Sequence, residues 1–228
     1  MAVNHLPRRL VLSSEHTSIL NEAGESMSYS EGQSVSRATV WALYAAVAMP
    51  LIYFGTQLVA APFYPSYSFS QDTASMLGTT DSYQPWIFNL GAMLTGVAGM
   101  VGAVGLFRAL RFKTWTTLAA IVAVCVAANG VLSVKAGLFP MPDPRHASWQ
   151  FLMPAILLGP LVLLIALWRQ GLLLRVYLAL DVLALLAVMP LMMHRVAPVF
   201  AEGTQQRIFA LIVFVPIGVV GWVLARRS

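Results

Sequence analysis

Residues 86–106 read WIFNLGAMLTGVAGMVGAVGL, an apolar run without a charged side chain in which glycine recurs every third residue from Gly96 to Gly105. A helix needs about twenty consecutive apolar residues to cross the hydrocarbon core of a bilayer, so this run predicts a transmembrane helix. Small residues four positions apart, such as Ala98 and Gly102, let two helix backbones approach closely in lipid. We therefore expect this helix to lie at the centre of a bundle and to contact two neighbours.

The whole chain shares the apolar character of this run. Of its 228 residues, 58% are hydrophobic and 10% are charged, and the mean hydropathy is +0.74. A soluble domain has about 45–50% apolar and about 25% charged residues, so the composition argues against a soluble enzyme, a nucleic-acid-binding module and a secreted scaffold. It predicts an all-α integral membrane protein with six transmembrane helices, at Thr39–Ala60, Trp86–Leu106, Trp115–Phe139, Trp149–Trp168, Leu172–Met193 and Ile208–Ala225.

The positive charges predict the orientation of the chain. Cytoplasmic loops carry an excess of Lys and Arg, and ten of the fourteen such residues fall on the side of the two termini. These ten are Arg8, Arg9, Arg37, Arg108, Arg111, Lys113, Arg169, Arg175, Arg226 and Arg227. We therefore expect both termini to be cytoplasmic, and Lys135, Arg145, Arg195 and Arg207 to lie on the outer side. The three longer loops are expected to form a small cap there.

The first residues differ from the rest. Residues 1–37 form a polar segment with four glutamates, and we predict a flexible cytoplasmic tail ahead of a transmembrane domain at 38–228. An alternative is a short helix over Ser14–Ala23 that lies on the membrane or on a partner. No basic region followed by a short apolar stretch opens the chain, so we expect no cleaved signal peptide.

Two polar residues fall inside the predicted spans. Asp181 lies about ten residues into the fifth span, near the bilayer midplane, where a charge costs at least a few kcal/mol. Asn129 lies at a similar depth in the third span and is a candidate hydrogen-bond partner. Two interpretations stay open for Asp181. Either the carboxyl group ties two helices together, or it serves as a proton or ion relay or as a catalytic acid.

A second polar layer is predicted at the outer mouth of the bundle. Asn89, Lys135 and Gln150 lie at the outer ends of their spans, and Arg207 precedes the sixth. Lys135 is expected either to snorkel to the interface or to pair with acids of the adjoining loops, which are Asp72, Asp81 and Glu202. These residues form a candidate basic pocket for an anionic headgroup. Its predicted ligand-binding residues are Lys135, Arg207, Asn89 and Gln150.

The first outer loop is expected to fold over the bundle. Its residues 64–86 interleave polar side chains with Tyr, Phe, Met and Leu. They predict a short helix from Phe69 to Leu77 that ends at Gly78, since glycine is the usual residue after a helix C-terminus.

The outer loops also hold residues suited to acid–base chemistry, namely Asp72, Asp81, His146 and His194. Carboxylates and imidazoles act as general acids and bases or bind zinc, so these four are the candidate catalytic residues of an enzyme. No pair has a metal-ligand spacing, and the chain lacks G-x-S-x-G, a glycine-rich phosphate loop and Cys-x-x-Cys. We therefore expect no metal and no cofactor, and the single cysteine, Cys125, excludes an intramolecular disulfide.

Four short segments carry a resemblance to a known family. They are SQDTASMLG at 70–78, PWIFNLG at 85–91 with Thr95 and Gly96 beyond it, GLFP at 137–140 followed by His146, and GTQQR at 203–207. Over Ala38 to Ala225 the chain resembles domain of unknown function 998, a family of bacterial six-helix membrane proteins with a more distant similarity to Frag/DRAM-like membrane proteins. The resemblance implies the six-helix fold and indicates that the outer loops hold the family's signature, but it carries over no catalytic residue. Because Frag-like proteins include some linked to lipid-anchor remodelling, it also slightly favours a lipid-related function.

Three functions follow from these observations. The first is binding of a lipid headgroup, a small amphiphile or a partner subunit at the outer face of a bacterial cytoplasmic membrane. The second is a lipid-modifying enzyme, either a hydrolase or a transferase, with an outer Asp/His site. The third is a small proton-coupled transporter that uses Asp181. Membrane lipids are the expected partners, a homo-oligomer or a partner membrane subunit is an alternative, and no nucleic acid is expected.

Overall fold

The structure, a computed structural model, describes residues 35–193 and 200–227. The six predicted spans are present as helices: α1 (Arg37–Ala60), α2 (Pro85–Leu110), α3 (Thr116–Leu138), α4 (Met153–Leu167), α5 (Leu172–Met193) and α6 (Glu202–Ala225). Each is long and apolar enough to cross a bilayer, α4 together with the 3₁₀ turn at Gln150–Leu152 that precedes it. The predicted tail up to residue 34, and His194 and Arg195, lie outside the described residues.

Helix α2 lies at the centre of the packing, which confirms the prediction from its glycines. It packs most extensively against α1 on one side and α3 on the other. A Cβ on Gly102 would lie 2.8 Å from the Cα of Ala46 in α1, and a Cβ on Gly130 of α3 would lie 2.6 Å from the carbonyl oxygen of Gly96 in α2. A side chain at either position would push two backbones apart, so the glycines set the spacing of the three helices.

The remaining helices complete the bundle. Helix α6 packs on α1, where a Cβ on Gly221 would lie 2.8 Å from the carbonyl oxygen of Leu43. Helix α5 is the least enclosed of the six. It packs chiefly against α4 and α6, and only 17% of the residues in its most apolar stretch are buried. The shared core contains fully buried side chains from all six helices, among them Leu43, Leu106, Val122, Leu163, Leu178 and Leu224.

The two ends of the bundle differ. We call the end that carries the connections 61–84 and 139–152 and the start of α6 the loop-rich end. The other end carries the shorter connections 111–115 and 168–171, and we call it the short-loop end. There Arg227 Nη1, just after α6, donates a hydrogen bond to the carbonyl oxygen of Gln170 (2.9 Å), so the last helix is joined to the α4–α5 connection.

The prediction of a helix over Phe69–Leu77 is wrong in its first half. The helix is a 3₁₀ helix at Ala74–Gly78, and turns precede it. Ser68 N donates to Asp72 Oδ2 (2.8 Å) and Gln71 N donates to Ser68 Oγ (3.3 Å). Such local side-chain bonds compete with the helical pattern. In addition, residues of α6 donate hydrogen bonds to the backbone carbonyl oxygens that would otherwise accept bonds within a helix.

Candidate functional site

A cavity of about 200 Å³ lies inside the bundle below the loop-rich end. Five of the six helices and the first connection contribute to its wall, and α5 does not. The wall is mostly apolar, with Phe88, Met153 and Phe209 among its side chains. Its polar side chains are Tyr53, Ser75, Asn129, Ser133 and Gln206. An apolar space with a few hydrogen-bonding groups has the usual composition of a small-molecule site.

The first turn of α6 binds the turns of the first connection. Arg207 Nη1 donates to the carbonyl oxygens of Phe69 (2.6 Å) and Asp72 (2.9 Å), and its guanidinium lies 5.0 Å from the centroid of the Phe69 ring. Two backbone bonds run alongside, from Gly203 N to Gln71 O (3.2 Å) and from Thr204 N to Ser70 O (2.9 Å). We call these contacts between 203–207 and 67–74 the latch.

Gln206 and Tyr67 extend the latch. Gln206 Oε1 accepts a hydrogen bond from Ala74 N (2.6 Å). The Tyr67 hydroxyl accepts from Arg207 Nη2 and donates to the carbonyl oxygen of Thr73 (3.2 Å). Burial raises the pKa of Tyr67 above its ordinary value of 10.0, although the Arg207 charge opposes the rise. The phenol therefore keeps its proton at neutral pH and can make both bonds.

A serine–histidine pair joins the cavity wall, to which Ser75 belongs, to the second connection. His146 Nε2 is 3.1 Å from Ser75 Oγ, and His146 Nδ1 is 2.8 Å from the carbonyl oxygen of Phe139. A carbonyl can only accept, so Nδ1 donates to it, and in the neutral tautomer Nε2 then accepts from the Ser75 hydroxyl. A hydroxyl bonded to a base that a third group orients is the arrangement of an activated nucleophile.

Two consecutive turns over residues 140–146 place His146 beside Ser75. Asp143 N donates to Pro140 O (3.0 Å) and His146 N donates to Asp143 O (2.9 Å). Arg145 forms an ion pair with Asp143 at 2.6 Å and covers the ring of Phe139 at 4.0 Å. The hydrogen bonds from Arg145 lower the pKa of the Asp143 carboxyl group, which therefore stays charged at neutral pH.

Three of the four predicted ligand-binding residues make internal contacts between loops and helices. Arg207 belongs to the latch, Asn89 Nδ2 donates to Gly78 O (3.1 Å), and Lys135 Nζ donates to Ser148 O. The prediction of an acidic partner for Lys135 is wrong, since within the described ranges it forms no ion pair. The last turn of α3 places the Lys135 ammonium group beside a backbone carbonyl instead. Gln150, the fourth, is exposed at the start of its 3₁₀ turn.

Among the predicted acid–base residues that the structure describes, no hydrogen bond joins one to another. Asp72 accepts the bond from Ser68 N, Asp81 is exposed in a turn, and His194 lies outside the described residues. No three His, Cys, Asp or Glu side chains in the described part of the chain could together hold a metal ion.

The two intramembrane polar residues do not bond to each other. Asn129 Nδ2 donates to the carbonyl oxygen of Cys125 one turn earlier in α3 (3.0 Å). Asp181 is half-buried on α5, and its Oδ2 has no hydrogen-bond partner among the residues described. The expectation that Asn129 serves as its partner is therefore wrong, because the Asn129 amide donates within its own helix.

Sequence reasoning missed Ser75 and Gln206, although both lie in segments that carry the resemblance. The structure brings those segments together at the loop-rich end. Segment 203–207 bonds to 70–78, His146 bonds to Ser75, and Asn89 of 85–91 bonds to Gly78. The place of both residues in the segments that carry the resemblance is the sequence signal that could have identified them.

Comparison with protein families gives one match, over residues 46–223, to a family described as protein of unknown function (DUF998). The match covers more than half of the chain and takes in the cavity, the Ser75–His146 pair and the latch. No curated protein and no solved structure matches the chain.

Proposed function

The chain belongs to the DUF998 family of multi-pass membrane proteins of unknown function, and we propose that it binds a small amphiphile in the cavity below the loop-rich end. In this proposal the loop-rich end faces outward from a bacterial cytoplasmic membrane, because most of the cationic side chains lie toward the other end. The observation that carries the proposal is the mostly apolar cavity with hydrogen-bonding groups on its wall.

The size of the cavity limits the ligand. Its volume of about 200 Å³ is below the range of about 300–1,000 Å³ that drug-sized ligands occupy. It therefore suits one short chain or a small ring with a polar group, and it is too small for a whole two-chain lipid. Asn129 Oδ1 and Ser133 Oγ can accept hydrogen bonds there, since each already donates to its own helix.

The predicted ligand-binding residues take a supporting role in this proposal. Arg207, Asn89 and Lys135 each donate to a loop carbonyl, so they hold the cap in place above the ligand. Ligand contact then falls to Ser75, Asn129 and other side chains of the wall.

Filling the cavity tests the proposal. Ala136→Phe puts a ring into the wall of the cavity, whereas Val124→Phe adds the same ring to an exposed position of the same helix. The full chain is purified in mild detergent, and species released on denaturation are identified by mass spectrometry. We expect one amphiphile near equal stoichiometry in the wild type and in Val124→Phe, and its loss from Ala136→Phe. A wild-type protein without any such species, or equal amounts in both variants, would refute the proposal.

The Ser75–His146 pair favours a second candidate, an acyl hydrolase or acyltransferase. Ser75 Oγ would attack an ester carbonyl while His146 Nε2 takes the hydroxyl proton and returns it to the leaving alcohol. Water or a second alcohol would then release the acyl group from Ser75. The carbonyl of Phe139 would hold the ring in the required tautomer.

An acylating probe separates this candidate from simple binding. A fluorophosphonate should label the wild-type chain at Ser75, and both Ser75→Ala and His146→Ala should abolish labelling while the proteins stay monodisperse. Ser70→Ala, which changes an exposed serine of the same connection, is the matched control. Absence of labelling in native membranes would leave the pair as a hydrogen bond that joins two loops.

A further inference from the structure

The short-loop end holds a second and larger cavity that the proposed function does not use. It has a volume of about 650 Å³ and lies between the α2–α3 and α4–α5 connections, within the range of about 300–1,000 Å³ that is usual for ligand sites. Leu118 of α3 and Ile165 of α4 supply an apolar wall, and the two connections supply Lys113 and Arg169.

The two cations of this cavity are uncommitted. Lys113 and Arg169 are exposed, and in the described ranges neither side chain forms an ion pair, a hydrogen bond or a ring contact. No Asp or Glu occurs in residues 108–116 or 167–172. The cavity wall therefore has two positive charges from separate connections and no carboxylate in either connection to neutralise them.

Tryptophans fix the depth of the cavity in the bilayer. Trp115 is 83% exposed and Trp168 is 51% exposed, and both contribute to the cavity at the ends of apolar helices. Tryptophan favours the level of the lipid headgroups, where its ring meets apolar chains and its N–H meets water. The charged part of the cavity thus lies at headgroup depth, and the wall of Leu118 and Ile165 continues toward the acyl chains.

We propose that this cavity binds an anionic phospholipid. Lys113 and Arg169 contact the phosphodiester group, Trp115 and Trp168 flank the headgroup, and the apolar wall contacts the upper part of one acyl chain. Basic pockets between transmembrane helices recognise anionic headgroups in this way. The site is independent of the amphiphile cavity, since it lies at the opposite end of the bundle and shares no wall residue with it.

Lipid titration followed by native mass spectrometry of the full detergent-solubilised chain tests the proposal. We compare phosphatidylglycerol with phosphatidylcholine of the same acyl chains. In Lys113→Gln/Arg169→Gln we expect phosphatidylglycerol to bind about 25-fold more weakly, about fivefold for each charge removed, and phosphatidylcholine binding to stay unchanged. The matched control is Arg37→Gln/Arg108→Gln, which removes two exposed cations outside the cavity wall and should bind as the wild type does.

Two further arms complete the test. Thr114→Trp keeps every charge but fills the cavity, and it should lose phosphatidylglycerol binding while the thermal unfolding temperature is retained. Inorganic phosphate at millimolar concentration should not displace the lipid, because it cannot contact the apolar wall. Equal loss in both double variants, equal affinity for the two lipids, or displacement by inorganic phosphate would each overturn the proposal.

Discussion

Removal of the Arg207 side chain should open the first connection without unfolding the bundle. Arg207→Ala deletes two charge-assisted hydrogen bonds to the carbonyls of Phe69 and Asp72 and a third to the Tyr67 hydroxyl. A hydrogen bond to a charged group contributes about 1.5–3 kcal/mol. At the surface, water binds the freed carbonyl groups and recovers part of this free energy. We therefore expect the free energy of local opening of residues 69–74 to fall by about 3 kcal/mol, which raises the open population about 150-fold.

Hydrogen–deuterium exchange measures this opening in the intact protein. The amide of Ala74, which donates to Gln206, should exchange about 150-fold faster in Arg207→Ala, while amides in the middle of α2 keep their wild-type rates. Arg145→Ala is the matched control, because Arg145 contacts Asp143 and the Phe139 ring within its own connection and, among the described residues, forms no hydrogen bond to residues 69–74. Unchanged exchange at 69–74, or equal acceleration throughout α2, would show that the latch does not hold the connection.

Three further predictions rest on other features. Gly102→Ala should lower the free energy of unfolding by about 1–3 kcal/mol, because the added Cβ meets the backbone of α1. The Cβ of Gly55→Ala meets no atom, so this variant should stabilise α1 by up to about 1 kcal/mol. Both free energies are measured by denaturant titration in micelles. Burial raises the pKa of Tyr67 in the folded chain, so as pH rises the Tyr67 phenol loses its proton in the unfolded chain first. The stability of the folded chain should therefore fall above about pH 10. Tyr67→Phe should show a smaller fall in thermal unfolding temperature over the same range. For orientation, a cysteine at exposed Thr80 should react with a membrane-impermeant maleimide in intact cells, and one at Arg111 only after lysis; the reverse pattern would invert the topology.

The helices could be predicted because the bilayer imposes a length and a polarity on every span. The predicted run from Trp86 to Leu106 became α2 at Pro85–Leu110, and the glycine spacing correctly indicated two close neighbours. The fourth span differed more, since its first residues form a 3₁₀ turn before α4 begins at Met153. Proline at position 154 suits the first turn of a helix, which is consistent with that start.

The contacts of the candidate site could not be predicted in the same way because most of them end on backbone carbonyls. Lys135 was expected to seek a carboxylate, yet its partner is the carbonyl of Ser148. Every residue carries such a carbonyl, so the residue type gives no signal for the partner. The Ser75–His146 pair joins residues separated by 71 positions, and only the fold brings them within reach.

The latch also has a consequence for the order in which the protein is made. Its halves are far apart in the chain, with 132 positions between Ala74 and Gln206. At a synthesis rate of about 5–20 residues per second, about 7–26 seconds pass between the emergence of the first half and that of the second. During that interval the turns before Ala74 have no partner from α6, and their carbonyls are left to water. Closure of the cap is therefore a late event that reports the arrival of the final helix.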